Sequence, residues 1–173
     1  YGVIDQNLIL EAVLDNLDAL SVGDIYTDEV VTLHEDDGVG KAINRLREHS
    51  ISRLPVLDDD DYLSGMVTVH DIADIVVRDM NKPTRGERSG DVDRILDIPV
   101  ADIMSSPVET TTAGESVRHA VERMLHEDFA GLVVTPDDDD GVVAGVLTKT
   151  DVLRALTYTE QDHMDVQITN ISL

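Results

Sequence analysis

The sequence predicts an α+β protein made of two β-α-β-β-α units that pack as a pseudo-twofold pair. Three observations predict it. Gly65-Met66-Val67-Thr68-Val69-His70-Asp71-Ile72 returns as Gly145-Val146-Leu147-Thr148-Lys149-Thr150-Asp151-Val152, at an offset of 80 residues. Upstream, Val31-Thr32 and Leu54-Pro55-Val56 return as Glu109-Thr110 and Leu132-Val133-Val134, at an offset of 78. The two extra residues fall in the acidic loops Asp58 to Asp61 and Asp137 to Asp140, where an insertion costs little. A register broken once, in a loop, marks two copies of one supersecondary unit, so functional residues are expected in pairs.

Each element follows from local pattern. Glu29 to Leu33 reads as a short strand and Asp36-Asp37-Gly38 as the turn before a helix over 39–48, with Val39, Ile43 and Leu46 on one face. Ser52 to Leu57 and Leu63 to Thr68 read as apolar strands flanking an acidic turn, and a helix starts near Val69. The second copy repeats the order, with strands Val108 to Thr111, Leu132 to Thr135 and Val142 to Leu147 and helices Ser116 to His126 and Asp151 to Leu156. The expected boundaries are 21–80 and 99–158 for the repeats and 81–98 for the linker, with Asn81 to Gly90 an exposed connector. Gly2 to Val13 aligns with the last strand and helix of each repeat, so 1–20 is expected to be the tail of a preceding repeat. Residues 159–173 would then begin a following segment of a longer polypeptide.

Net charge is −23, from 36 acids against 13 Lys and Arg. Such self-repulsion weakens a compact state in dilute buffer, while molar salt shortens the Debye length to about 3 Å and removes most of it. The composition therefore reads as adaptation to a salty cytoplasm, such as that of a halophilic archaeon. Direct nucleic-acid binding is disfavoured, because phosphate neutralisation needs clustered Lys and Arg. No run of 18 apolar residues suggests a spanning helix, and cysteine is absent, which suits a cytoplasmic protein.

The Asp-Ile before each unit, the Thr of Val31-Thr32-Leu33, Ser52-Arg53-Leu54-Pro55-Val56 and the duplicated Gly-to-Asp ending together resemble CBS domains, named for cystathionine β-synthase. The resemblance covers about residues 22 to 157, and its order and duplication are what make it specific. It implies a tandem pair, or Bateman module, with clefts between the repeats for adenosyl ligands such as AMP, ADP, ATP or S-adenosylmethionine; some members bind nothing. No cofactor is required by this reading. The arrangement also resembles haloarchaeal proteins with four such repeats. In the family such pairs commonly form disc-like dimers, so a homodimer is expected.

A nucleoside site needs carboxylate acceptors for ribose hydroxyls, donors near a phosphate, an apolar slot and some positive charge. Thr68 with Asp71, and Thr148 with Asp151, supply a hydroxyl and an acceptor at a helix N-terminus. The same Thr-x-x-Asp pattern is a helix cap, and the two roles can coexist. The resemblance places base recognition beside the middle strand, here Ile51 to Leu54 and Ala130, Gly131 and Leu132. The small Ala130 and Gly131 equally suit close approach of a ring or tight strand packing. Thr32 and Thr110 sit where the family places a hydroxyl near the ligand, and also where β-propensity favours threonine. Arg53, His70 and Lys149 are the nearby cations, each with an alternative as an ordinary solvated or paired side chain. So few cations suit AMP, ADP or S-adenosylmethionine better than a triphosphate.

Gly38-Val39-Gly40-Lys41 is too short for a phosphate loop, the tetra-Asp turns lack the features of a calcium loop, and no nucleophile has a recognisable base. Turnover is not expected. The leading expectation is a regulatory adenosyl sensor coupled to an output domain that the sequence does not identify. The alternatives are a structural or dimerisation scaffold with vestigial sites and an acidic surface for a basic partner. Raising KCl from about 0.1 M to about 2 M should raise the melting temperature by about 10 °C. A flat or falling curve in a thermal melt would remove the salt-adaptation reading.

Overall fold

The structure, a computed structural model, describes residues 6–80, 89–139 and 141–157. The expected strand at Gly2 to Asp5, connector residues 81–88 and the segment 158–173 lie outside the described residues. Helix α1 (Gln6–Val13) and a 3-10 turn (Leu14–Leu17) lead to the short α2 (Val22–Ile25). The first repeat follows as β1 (Leu33–His34), α3 (Val39–Glu48), β2 (Arg53–Leu57), β3 (Leu63–Thr68) and α4 (Val69–Met80). After α5 (Ser89–Leu96) and a 3-10 turn (Val100–Asp102), the second repeat gives β4 (Thr110–Thr112), α6 (Val117–His126), β5 (Gly131–Thr135), β6 (Gly145–Thr148) and a helix over 149–157, α7.

Each repeat makes a three-stranded sheet, β1-β2-β3 or β4-β5-β6, with the first pair parallel and the second antiparallel. Of the face expected for α3, Val39 and Leu46 are buried and Ile43 is half-buried, with Ala42 buried beside them, while α6 buries Val117, Ala120, Val121 and Met124. Ser116 caps α6 by accepting a hydrogen bond from the backbone N–H of His119. Each helix is followed by a residue in the left-handed region, Ser50 at φ 53° and Asp128 at φ 56°, which turns the chain into the next strand.

The α+β class and the element order are as expected, and the differences are local. Strand β1 is confined to Leu33–His34, β4 begins at Thr110 and β6 at Gly145, because only these residues find ladder partners. Helix α5 occupies part of the stretch expected to be linker. It forms because Ile95 enters the core of its unit and Leu96 lies against Gly40 of α3. Leu17, 78 residues earlier, fills the other core in the same way.

The chain divides into two compact units whose composition is not that of the sequence repeats. One gathers residues up to Val30 with those from Glu109 onward; the other spans Val31–Val108. The segment before the first repeat thus belongs with the second repeat's sheet. Thr27 and Val146 exchange two backbone hydrogen bonds, each 2.9 Å, along the outer edge of β6. The backbone N–H groups of Val22 and Gly23 donate to the carbonyls of Glu115 and Ala113, at 2.8 Å each. The segment before the second repeat does the same for the first repeat's sheet: Ser105 pairs with Met66 at 2.9 and 3.0 Å, and Val100 and Ala101 donate to Asp37 and Glu35 at 2.8 and 3.1 Å.

The glycine that opens each Gly-to-Asp motif exists for this contact. A Cβ on Gly145 would lie 2.2 Å from the Tyr26 ring and 2.5 Å from the Thr27 carbonyl oxygen; on Gly65 it would meet Met104 Sδ at 2.4 Å. Gly145→Ala should therefore cost about 1–3 kcal/mol, since a ring and a backbone must give way. Gly65→Ala should cost less, because a flexible thioether can move aside. Urea denaturation in molar KCl checks the order, and equal costs would contradict it.

Candidate functional site

Both strand-to-helix junctions are built alike. At the end of β3, the backbone N–H and Oγ1 of Thr68 donate to Asp71 Oδ2 at 2.8 and 2.7 Å, and the Asp71 N–H donates back to Thr68 Oγ1 at 3.3 Å. At the end of β6, Thr148 and Asp151 repeat this at 2.9, 2.6 and 3.3 Å. The capping role is thus formed in both copies, and it fixes one oxygen of each carboxylate. The other oxygen of Asp151, Oδ1, lies 3.5 Å from Thr27 Oγ1.

The exchanged segments bring acids that the sequence reading did not place at a site. Asp24 and Ile25 of α2 join Asp151, Arg154 and Ala155 around a hollow of about 350 Å³. In the other unit Asp102, Ile103 and Met104 join Asp71, Asp74, Ile75 and Arg78 around one of about 130 Å³. Asp24 and Asp102, like Ile25 and Ile103, are equivalent by the 78-residue offset, so the two hollows are copies of one design. Hydrogen bonds from the Ser21 hydroxyl and backbone hold the Asp24 carboxyl below the usual range, so it stays ionised. The signal for these residues was present in the repeated Asp-Ile, but which strand edge they reach is a tertiary matter.

The other expected site residues are distributed unevenly. Arg53 is half-buried and pairs in register with Thr68, so the two side chains share one face of the sheet. Burial pushes its guanidinium pKa down, and among the described residues no carboxylate lies within ion-pair distance. Thr32 and Thr110 are half-buried and offer their carbonyls to Arg45 and Arg123. Ile51 and Ala130 are exposed just before β2 and β5. His70 is solvent-facing, with Nδ1 3.5 Å from Asp74 Oδ2 and 82% of its side chain exposed.

The remaining expected positions are engaged in packing or in contacts of their own. Leu54 and Leu132 belong to the two cores, fully buried and 2% exposed, so their side chains are taken up by packing. Gly131 has a packing reason of its own: a Cβ there would sit 2.7 Å from the Leu147 carbonyl oxygen. Lys149 is 6% exposed and does not line the hollow. Its Nζ donates to Asn7 Oδ1 of α1 at 2.8 Å, with Asp128 Oδ1 at 4.0 Å, because a desolvated ammonium takes the nearest acceptors.

The CBS-domain family model matches residues 22–78 and 100–158. An uncharacterized protein of Methanocaldococcus jannaschii, MJ1404, is 33% identical over 140 residues, 81% of this chain and 32% of that protein. The chain therefore spans about a third of that relative's length. The solved CBS domain pair of protein MJ0100, in complex with 5′-methylthioadenosine and S-adenosyl-L-methionine, is similar at a TM-score of 0.63 and 26% identity, covering 79% of this chain and 99% of that one. CBSX2 in complex with AMP is similar in fold, at a TM-score of 0.66 and 23% identity over 82% of this chain and 99% of that one.

Removing either cap should weaken its helix start. Asp71→Ala and Asp151→Ala should each cost about 1 kcal/mol of stability, and the asparagine variants less. Urea midpoints in molar KCl check this, and an unchanged midpoint would mean that the caps hold nothing.

Proposed function

The chain belongs to the CBS-domain family, and on that premise we propose that it is a regulatory module that senses an adenine nucleotide or another adenosyl compound and performs no turnover itself. The observation that carries the proposal is Arg53. In a chain with 36 acids, a half-buried guanidinium on the rung opposite Thr68, without a carboxylate partner among the described residues, is what an anionic ligand requires. Asp71, Asp102, Asp24 and Asp151 supply acceptors for ribose hydroxyls, and the N-termini of α4 and α7 supply backbone donors. The bound AMP of CBSX2 and the bound methylthioadenosine and S-adenosylmethionine of the MJ0100 pair support this ligand class.

Binding acts on the attached protein by favouring one arrangement over another, in proportion to the difference in affinity. A second reading, a scaffold that self-associates, draws on Val69 and Val77 of α4, which are 53% and 55% exposed along one helix face. Both readings sit within a salt-adapted cytoplasmic protein.

Thermal melts in molar KCl with AMP, ADP, ATP, S-adenosylmethionine and 5′-methylthioadenosine separate the two. A ligand at a hundred times its Kd should add about 2.7 kcal/mol of stability, a shift of several degrees. The shift should shrink in Asp71→Ala or Asp151→Ala measured against each variant's own baseline. No response to any of these compounds in folded protein would leave the scaffold.

A further inference from the structure

Two acids that line neither hollow hold the segments that do. In the turn between β1 and α3, the Asp37 carbonyl accepts from the backbone N–H of Val100 at 2.8 Å, and the Val39 N–H donates back to the Ile98 carbonyl at 2.9 Å. In the turn between β4 and α6, the Glu115 carbonyl accepts from the Val22 N–H at 2.8 Å, and the Val117 N–H donates back to the Leu20 carbonyl at 3.0 Å. Asp37 and Glu115 are equivalent by the 78-residue offset, and so are Val100 and Val22. Asp102 and Asp24, which line the hollows, follow two residues after those valines.

In both turns the side chain of the same acid gathers the donors around it. Asp37, with 14% of its side chain exposed, accepts from the His34 N–H at 2.9 Å and from Lys41 Nζ at 2.5 Å. Burial opposes its ionisation, but Lys41 and the His34 N–H outweigh it and hold the carboxyl below the usual carboxylate range. Glu115, with 17% exposed, takes the Thr111 hydroxyl, Arg123 Nη1 at 3.3 Å and His119 Nδ1 at 2.7 Å. A carboxylate engaged by three side chains fixes its turn, and the turn's carbonyl becomes a fixed point for the segment bonded to it. With four residues, α2 is too short to hold its own place, so bonds from the turn set it.

The hollow beside Asp24 and Asp151, at about 350 Å³, has the volume that small ligands occupy. Resting on the adenosyl-binding reading above, we propose that Glu115 is a positioning residue for this hollow: it lines no part of it, and through its own carbonyl and Val22 it fixes where Asp24 stands. Asp37 does the same for Asp102 in the other unit. An acceptor displaced by about an ångström loses its hydrogen bond to a ligand, so a carboxylate outside the hollow controls affinity inside it.

Hydrogen exchange and calorimetric titration of the full chain in molar KCl, with AMP and 5′-methylthioadenosine as probes, test this together. Glu115→Ala should speed exchange at the Val22 and Gly23 amides about five- to tenfold and leave Val100 and Ala101 within about twofold, and Asp37→Ala should do the reverse. Glu115→Ala should also weaken whichever probe the unmodified chain binds by about tenfold. Glu115→Gln, which keeps an acceptor for the Thr111 hydroxyl, should recover part of both losses and keeps the test sound if the alanine variant folds poorly. Met124→Ala, a core substitution in α6, should lower the melting temperature at least as much yet leave affinity within about twofold, which separates lost position from lost stability. Unchanged exchange at Val22 in Glu115→Ala, or affinity lost equally in Met124→Ala, would overturn the proposal. A chain that binds neither probe would instead overturn the adenosyl reading, and exchange at Val22 would still decide whether Glu115 holds α2.

Discussion

Two pairs of reciprocal backbone hydrogen bonds, between Thr27 and Val146 and between Ser105 and Met66, occupy the outer edge of each sheet with a segment from elsewhere in the chain. An uncovered edge would leave unpaired N–H and C=O groups, which are costly when buried and prone to stray pairing when exposed. Because each repeat's sheet takes its edge segment from the stretch preceding the other repeat, neither β-α-β-β-α copy completes its sheet from its own residues. The glycines at 65 and 145 follow from this constraint, since only a residue without Cβ leaves room for Met104 and Tyr26.

The same exchange assembles the hollows. Asp24 rides on α2, which the backbone of Glu115 and Ala113 holds in place, and so arrives beside Asp151, whose own position is set by the cap with Thr148. A carboxylate engaged through one oxygen in a cap is oriented at no cost in mobility when a ligand approaches the other. On the proposed function, structural and binding roles would be two uses of one geometry, with the capping box preorganising the acceptor.

An abundance of acid makes cations informative. With 13 Lys and Arg among 173 residues, most of the cations whose contacts are described have a definite use. Arg118 ties the 3-10 turn to α6, Arg45 and Arg123 hold the carbonyls before and at the start of β1 and β4, and Lys149 fastens α1. Arg45 is also half-buried without a carboxylate but is held by the Thr32 carbonyl, whereas the Arg53 guanidinium has neither an ion pair nor a hydrogen bond among the described residues.

The sequence by itself determined the duplication, the element order, most of the buried face of α3 and the two Thr-Asp junctions. These depend on periodicities of two and 3.6 and on spacings of three residues, which are local properties of the chain. Tertiary structure alone decided which sheet edge receives Val22 to Thr27, that Leu54 and Leu132 face the cores, that Lys149 turns to Asn7 and that Gly131 is a packing glycine. Each of those outcomes rests on contacts between residues far apart in sequence, where alternation names two faces of a strand but only packing chooses what covers each one.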